Sequence, residues 1–117
     1  MASNSQIAFS PLGNTLVVAA AAVAPTGLQA PVLAKFDGQS TGQYRVVNSG
    51  TVTVFLGAGS TAAEATANAV APIAGAPSAA IVLLPGAIEI LRFATGTFFS
   101  GLASVAATVY IVPGQGI

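Results

Sequence analysis

Apolar positions along this chain come in short runs cut every few residues by Pro, Gly, Asn or Ser, the spacing of an all-β domain. The runs are Gln6–Phe9, Thr15–Val23, Pro31–Phe36, Gln43–Val47, Thr51–Leu56, Ala80–Leu84, Ala87–Phe93, Thr97–Ser100 and Val105–Val112. Period-two alternation is clearest in the middle of the chain. There Tyr44 and Val46 alternate with Arg45 and Val47, and Val52, Val54 and Leu56 alternate with Thr51, Thr53 and Phe55. Asn48-Ser49-Gly50 between them carries the residue types that supply positive φ in hairpin turns, so the two segments are expected to pair antiparallel as a hairpin. Pro85-Gly86 fits the central positions of a type II turn. The strand that follows is unusual in having no polar face: Ile88, Ile90 and Arg92 share one side, and Glu89, Leu91 and Phe93 the other. Such a strand is expected to be covered on both faces.

One stretch departs from the β pattern. Thr61-Ala-Ala-Glu64 matches a capping box, and the Ala-rich sequence behind it favours helix until Pro72. A helix this short is marginal alone and is expected to lie on a sheet as a crossover; the competing reading is an irregular loop. Seven or eight short strands with regular turns give the fold class: an all-β β-sandwich, jelly-roll-like, with one short Ala-rich helix near 61–70. Residues 1–14 read as an extended N-terminal arm or an edge strand, and 15–117 as a single β-sandwich domain.

Charge changes the picture most. Six charged side chains (Lys35, Asp37, Arg45, Glu64, Glu89 and Arg92) serve 117 residues, or 5%, with a net charge of zero. An average soluble domain is about 25% charged. So neutral a surface has little protection against association, and much of it is expected to be covered by other subunits. No apolar run reaches the roughly 18–20 residues of a spanning helix. Leu16–Ala24 has the look of a signal-peptide core, but no basic residue precedes it, since the first is Lys35.

Candidate chemistry is sparse. The chain has no His and no Cys, which removes the Ser-His-Asp and Cys-His arrangements and the usual zinc ligands. The three carboxylates, Asp37, Glu64 and Glu89, offer no tuned pair: Glu64 suits a helix cap and Asp37-Gly38 a turn. Gly57-Ala-Gly59-Ser60-Thr61 has neither the lysine of a P-loop nor the GxGxxG spacing. Three basic residues cannot supply the electrostatic term of nucleic-acid binding. The expectation is a non-enzymatic chain without cofactor or metal, and without nucleic-acid or membrane partners.

Two features carry weight as contacts between chains. Phe93, Phe98 and Phe99 either fill the core or, because neighbours on a strand point to opposite faces, place one ring outside. The N-terminal stretch with Ile7 and Phe9 can pair with a neighbour's sheet, and Arg92 sits among aromatics, the mixture that interface cores favour. Ile7, Phe9, Arg92, Phe93, Phe98 and Phe99 are therefore the intersubunit contact candidates.

The segments Tyr44-Arg-Val-Val-Asn-Ser-Gly50, Val52-Thr-Val-Phe-Leu-Gly57, Thr61–Val70, Leu84-Pro-Gly-Ala-Ile-Glu89 and Val109-Tyr-Ile-Val-Pro-Gly-Gln-Gly116 resemble small structural proteins of tailed bacteriophages, capsid cement (decoration) proteins or related virion β-sandwich proteins. The resemblance covers roughly residues 43–117 and rests on turn and strand signatures. It implies a jelly-roll or sandwich module on the capsid surface of a virion. Such a module forms a homo-oligomer, dimer or trimer, and clamps neighbouring copies of the major capsid protein, with no catalytic positions. The alternative class is a receptor- or carbohydrate-binding β-module of the virion tail, which wants aromatics in a concavity; this chain has no Trp and only Tyr44 and Tyr110 as tyrosines.

Overall fold

The structure is a computed structural model and describes residues 9–32 and 41–115. Its elements in chain order are β1 (Ser10–Pro11), β2 (Leu16–Ala20), β3 (Leu28–Gln29), β4 (Thr41–Asn48), β5 (Val54–Gly59), α1 (Ala62–Asn68), β6 (Ile81–Leu83), β7 (Ile88–Ala94), β8 (Phe98–Ala103) and β9 (Ala107–Gln115). They form two antiparallel sheets. In sheet I the order is β1-β9-β4-β7, with β2 continuing the row of β1 along β9; in sheet II it is β3-β8-β5-β6. The all-β sandwich with one short helix is therefore the observed fold.

The pairing is nested. β5 pairs with β6, β4 with β7, β3 with β8 and β2 with β9, so the chain runs as one long hairpin whose tip is the α1 crossover. Rolling that hairpin brings β4 against β9 and β5 against β8. This is the strand order of a jelly roll. Every strand connection from β3 onward except β5–β6 therefore crosses from one sheet to the other.

That nesting overturns the expected hairpin. β4 and β5 lie in different sheets and do not pair with each other. The alternation did mark the buried faces: Tyr44 and Val46 point inward from sheet I, and Val54 and Leu56 from sheet II. Alternation says which face is buried, not which strand lies alongside. The link 48–53 is an arch between layers. Gly50 is not in the left-handed region that a hairpin turn would ask of it; it is needed because a Cβ there would come within 2.6 Å of Ala107 Cβ.

Asn48 holds the arch. Its side chain is fully buried. The two Nδ2 hydrogens are shared among the carbonyls of Val52 (2.9 Å), Leu83 (3.0 Å) and Leu84 (3.1 Å), and Oδ1 accepts from Gly50 N–H (2.9 Å). Its backbone N–H donates to Ala87 O and its carbonyl accepts from Gly86 N–H. The Pro85-Gly86 turn that Asn48 grips has the type II features expected of it: Gly86 at φ 76° and Ala87 N–H donating to Leu84 O. This turn too leads from sheet II to sheet I.

α1 forms where the capping residues predicted it. Thr61 is the N-cap, its hydroxyl accepting from Glu64 N–H (3.1 Å), while the Glu64 carboxylate reaches Ser60 N–H (2.9 Å), one residue further back than a standard box. The helix lies on the outer face of sheet II, so close that a Cβ at Gly57 would collide with the Ala65 carbonyl. Thr66 Oγ1 ties it to the 25–27 segment, donating to Pro25 O and accepting from Gly27 N–H. β9 carries Pro113 inside a strand; its missing N–H falls opposite the gap between β1 and β2, and only its carbonyl is used, by Leu12 N–H.

Asn48→Ala is expected to lower the unfolding free energy by about 3 kcal/mol, since it removes the carboxamide partner of the Val52 and Leu83 carbonyls and of Gly50 N–H and leaves a buried void. Urea denaturation checks this; a loss under about 1 kcal/mol would mean that the arches hold without the carboxamide.

Candidate attachment surface

The two sheets differ in what covers their outer faces. Sheet II carries α1 and the Pro25–Gly27 segment, and even Ser100 on that face is buried, its hydroxyl donating to Pro25 O at 2.6 Å. Among the described residues, sheet I has no such layer. Its outward side chains stand in rows set by the strand register. Val17, Tyr110, Val47 and Ile88 form one row, Val112, Arg45 and Ile90 the next, and Gly114, Gln43 and Arg92 a third. Val17 is 48% exposed, Tyr110 40%, Ile88 57% and Ile90 42%. Four strand widths at about 4.8 Å and some seven residues at about 3.4 Å make a face of roughly 450 Å² in all. Its exposed large apolar side chains are Val17, Tyr110, Ile88 and Ile90, with Arg45 and Arg92 set among them and Gly114 buried beneath Phe9; exposed apolar patches on a monomer are often functional.

The sequence candidates fall in three places. Phe9 packs on the outer side of sheet I, where a Cβ at Gly114 would meet its ring. With Pro11, Thr15, Arg45 and Val112 it lines a cleft of about 420 Å³. Arg92 is exposed on the same face, its Nη1 donating to Thr41 Oγ1 at 3.3 Å. Ile7 and Asp37 lie outside the described residues.

The phenylalanines divide. Phe99 is fully buried and Phe93 half-buried; with Tyr44 they form an edge-to-face trio, at 5.0 Å for Phe93–Phe99, 5.7 Å for Tyr44–Phe93 and 6.0 Å for Tyr44–Phe99. Phe99 has no surface to offer a partner, so its candidacy is withdrawn, and Phe93 serves mainly the core. The reason is volume. Elsewhere the interior is lined by Ala20, Ala103, Ala107 and Gly101, where the sheets approach closely, and the remaining space is filled by rings. Phe98 points the other way, as strand geometry requires, and sits half-buried on the outer side of sheet II opposite Gly59.

Tyr110, Val17, Ile88 and Ile90 were not among the candidates. Their signal was present in the lack of a polar face on Ala87–Phe93 and in the apolar run Val109–Val112.

Neither cleft concentrates reactive groups. Arg45 is the one charged side chain in the cleft under Phe9. A second cleft of about 400 Å³, between Ala58–Ser60 and Phe93–Thr97, has none. Among the described residues, no group of three His, Cys, Asp or Glu could hold a metal ion, and no helix is long and apolar enough to cross a membrane. In comparisons with known proteins, no family model, curated protein or solved structure matches the chain at a significant level.

The Tyr44 hydroxyl in the trio donates to Ala94 O at 3.3 Å, and burial pushes its pKa above the ordinary value of 10.0. The unfolded chain therefore releases this proton first as pH rises. The Tyr44 contribution to stability is constant below about pH 10 and declines above it. Denaturation midpoints followed into alkali should show this fall, and Tyr44→Phe should blunt it; an identical alkaline profile in the variant would contradict the assignment.

Proposed function

We propose that this chain is a structural virion subunit, a cement or decoration protein on the capsid surface of a tailed-phage head, where it bridges copies of the major capsid protein. The observation that carries the reading is the open apolar face of sheet I. A charge-poor sandwich shields one sheet with its own helix and leaves the other bare, as a subunit designed to be covered by neighbours would. The jelly-roll order is an architecture of viral capsid and lectin domains.

The mechanism is burial repeated by symmetry. At about 25 cal/mol per Å² of apolar area, covering the half-exposed side chains of Val17, Tyr110, Ile88 and Ile90 supplies on the order of 5 kcal/mol of gross stabilisation per copy. Loss of translational and rotational freedom offsets much of it. What remains is multiplied over a lattice in which each copy also holds its neighbours. Arg45 and Arg92 add directional hydrogen bonding to an otherwise apolar surface, the composition favoured at interface cores.

Imaging of phage particles that contain the chain tests this. A regular lattice of the chain on the head is expected, and Tyr110→Glu, with an unchanged melting temperature, should weaken binding to undecorated heads at least tenfold. A few copies at the tail tip would favour the receptor- or carbohydrate-binding alternative. Absence from particles would refute a virion role.

A further inference from the structure

Among the described residues the sandwich has four sheet edges, and three of them are blunted. β3 is two residues long, and β6 is three, followed closely by Pro85. The β1/β2 edge is interrupted between Pro11 and Leu16 around Gly13, which sits at φ 93°. Short strands, prolines and breaks are the usual means by which proteins keep sheet edges from pairing with other chains. β7 has none of them. It runs seven residues without proline, in unbroken register with β4 from Thr41↔Ala94 to Val47↔Ile88, and among the described residues nothing pairs with its far side.

The direction of its free backbone groups follows from one bond. Asn48 N–H donates to Ala87 O in the same register, so the odd-numbered residues of β7 exchange hydrogen bonds with β4. The even-numbered ones, Ile88, Ile90 and Arg92, direct N–H and C=O to the open edge. Ala94 is committed elsewhere: its carbonyl already accepts from Thr97 N–H, Thr97 Oγ1 and the Tyr44 hydroxyl.

We propose that β7 is a self-pairing edge, joining two copies of this chain antiparallel across a twofold axis at Ile90. The occupant is a second copy because the available groups are their own complement. Ile90 faces Ile90 of the second copy, and Ile88 faces Arg92 of the second copy. The three residues with free edge groups are thereby satisfied by the same three, leaving Ala94 out. The strand carries one Glu89 and one Arg92, so two copies meet without net charge, and the aliphatic stem of Arg92 covers the exposed Ile88. A twofold contact needs only one surface. The two copies of sheet I merge into one wider sheet, so the apolar faces become continuous. The inference deepens the virion reading by naming the self-contact, but its test uses the purified chain alone and is independent of any shell.

The chain has no cysteine, so single-cysteine variants report contacts cleanly. In the proposed register the two Ile90 Cα atoms lie about 5.5 Å apart, within disulfide range. Mild oxidation of Ile90→Cys should give a covalent dimer, while Tyr110→Cys on the sheet face and Val82→Cys on β6 should stay at least tenfold less cross-linked. Ile90→Pro removes an N–H that points to the edge and not to β4, so it should leave a folded chain whose dimer dissociates at least tenfold more readily in sedimentation. Cross-linking through Tyr110→Cys in place of Ile90→Cys would overturn the edge in favour of face-to-face stacking. A monomer at all concentrations, or an oligomer undiminished in Ile90→Pro, would overturn it as well. If Ile90→Pro does not fold, the cysteine comparison still decides.

Discussion

The fold turns on one buried carboxamide. Asn48 ends β4 at the point where the chain leaves sheet I, and its side chain binds the arch to β5 and the turn that brings the chain back into β7. Both crossings of the innermost strand pairs are thus tied to one residue. A buried amide is stabilising only when its donors and acceptors are satisfied, and here the partners are backbone groups of 50, 52, 83 and 84, segments that must all be in place together. The nested topology has few local contacts to guide it, since β2 must find β9 and β3 must find β8 across most of the chain. The Asn48 carboxamide is satisfied when the two arches meet as they do here, so the hydrogen bonds of both crossings form together.

The same arrangement decides which surfaces stay open. The α1 crossover at the tip of the long hairpin falls on sheet II, where Gly57 and Gly59 let it approach. Sheet I receives no such element among the described residues, and β7 is left at its margin. In a protein with ordinary charge content, that face would be polar. Here Val17, Tyr110, Ile88 and Ile90 occupy it, and the charges set among them are Arg45 and Arg92. The low charge of the whole chain and the apolar outer face of sheet I are one fact seen at two scales.

Much of this was legible in the sequence because it is local. Alternation marked the buried faces of β4 and β5, Thr61 and Glu64 announced the helix, and Pro85-Gly86 the type II turn. The pairing of strands was not legible. Tyr44–Val47 has the same pattern whether its neighbour is β5 or β7, and an arch through Asn-Ser-Gly differs from a hairpin only in backbone torsions. β3 escaped notice because two residues have no periodicity. At the surface, aromatic residues drew attention away from aliphatic ones. Phe93 and Phe99 were needed inside to fill the space that Ala and Gly leave, while the two-sided apolar character of β7 and β9 marked strands whose outer face stays apolar and exposed.

The central claim is that sheet I and its β7 edge are covered by other molecules when the protein is assembled. Amide hydrogen exchange on the unmodified chain over a dilution series tests this most directly. The account predicts that the N–H groups of Ile88, Ile90 and Arg92 are protected at high concentration and exchange at least tenfold faster on dilution, while Glu89, Leu91 and Phe93, bonded to β4, stay protected throughout. If exchange at Ile88, Ile90 and Arg92 is the same at every concentration, the edge is a solvent edge and the claim is contradicted.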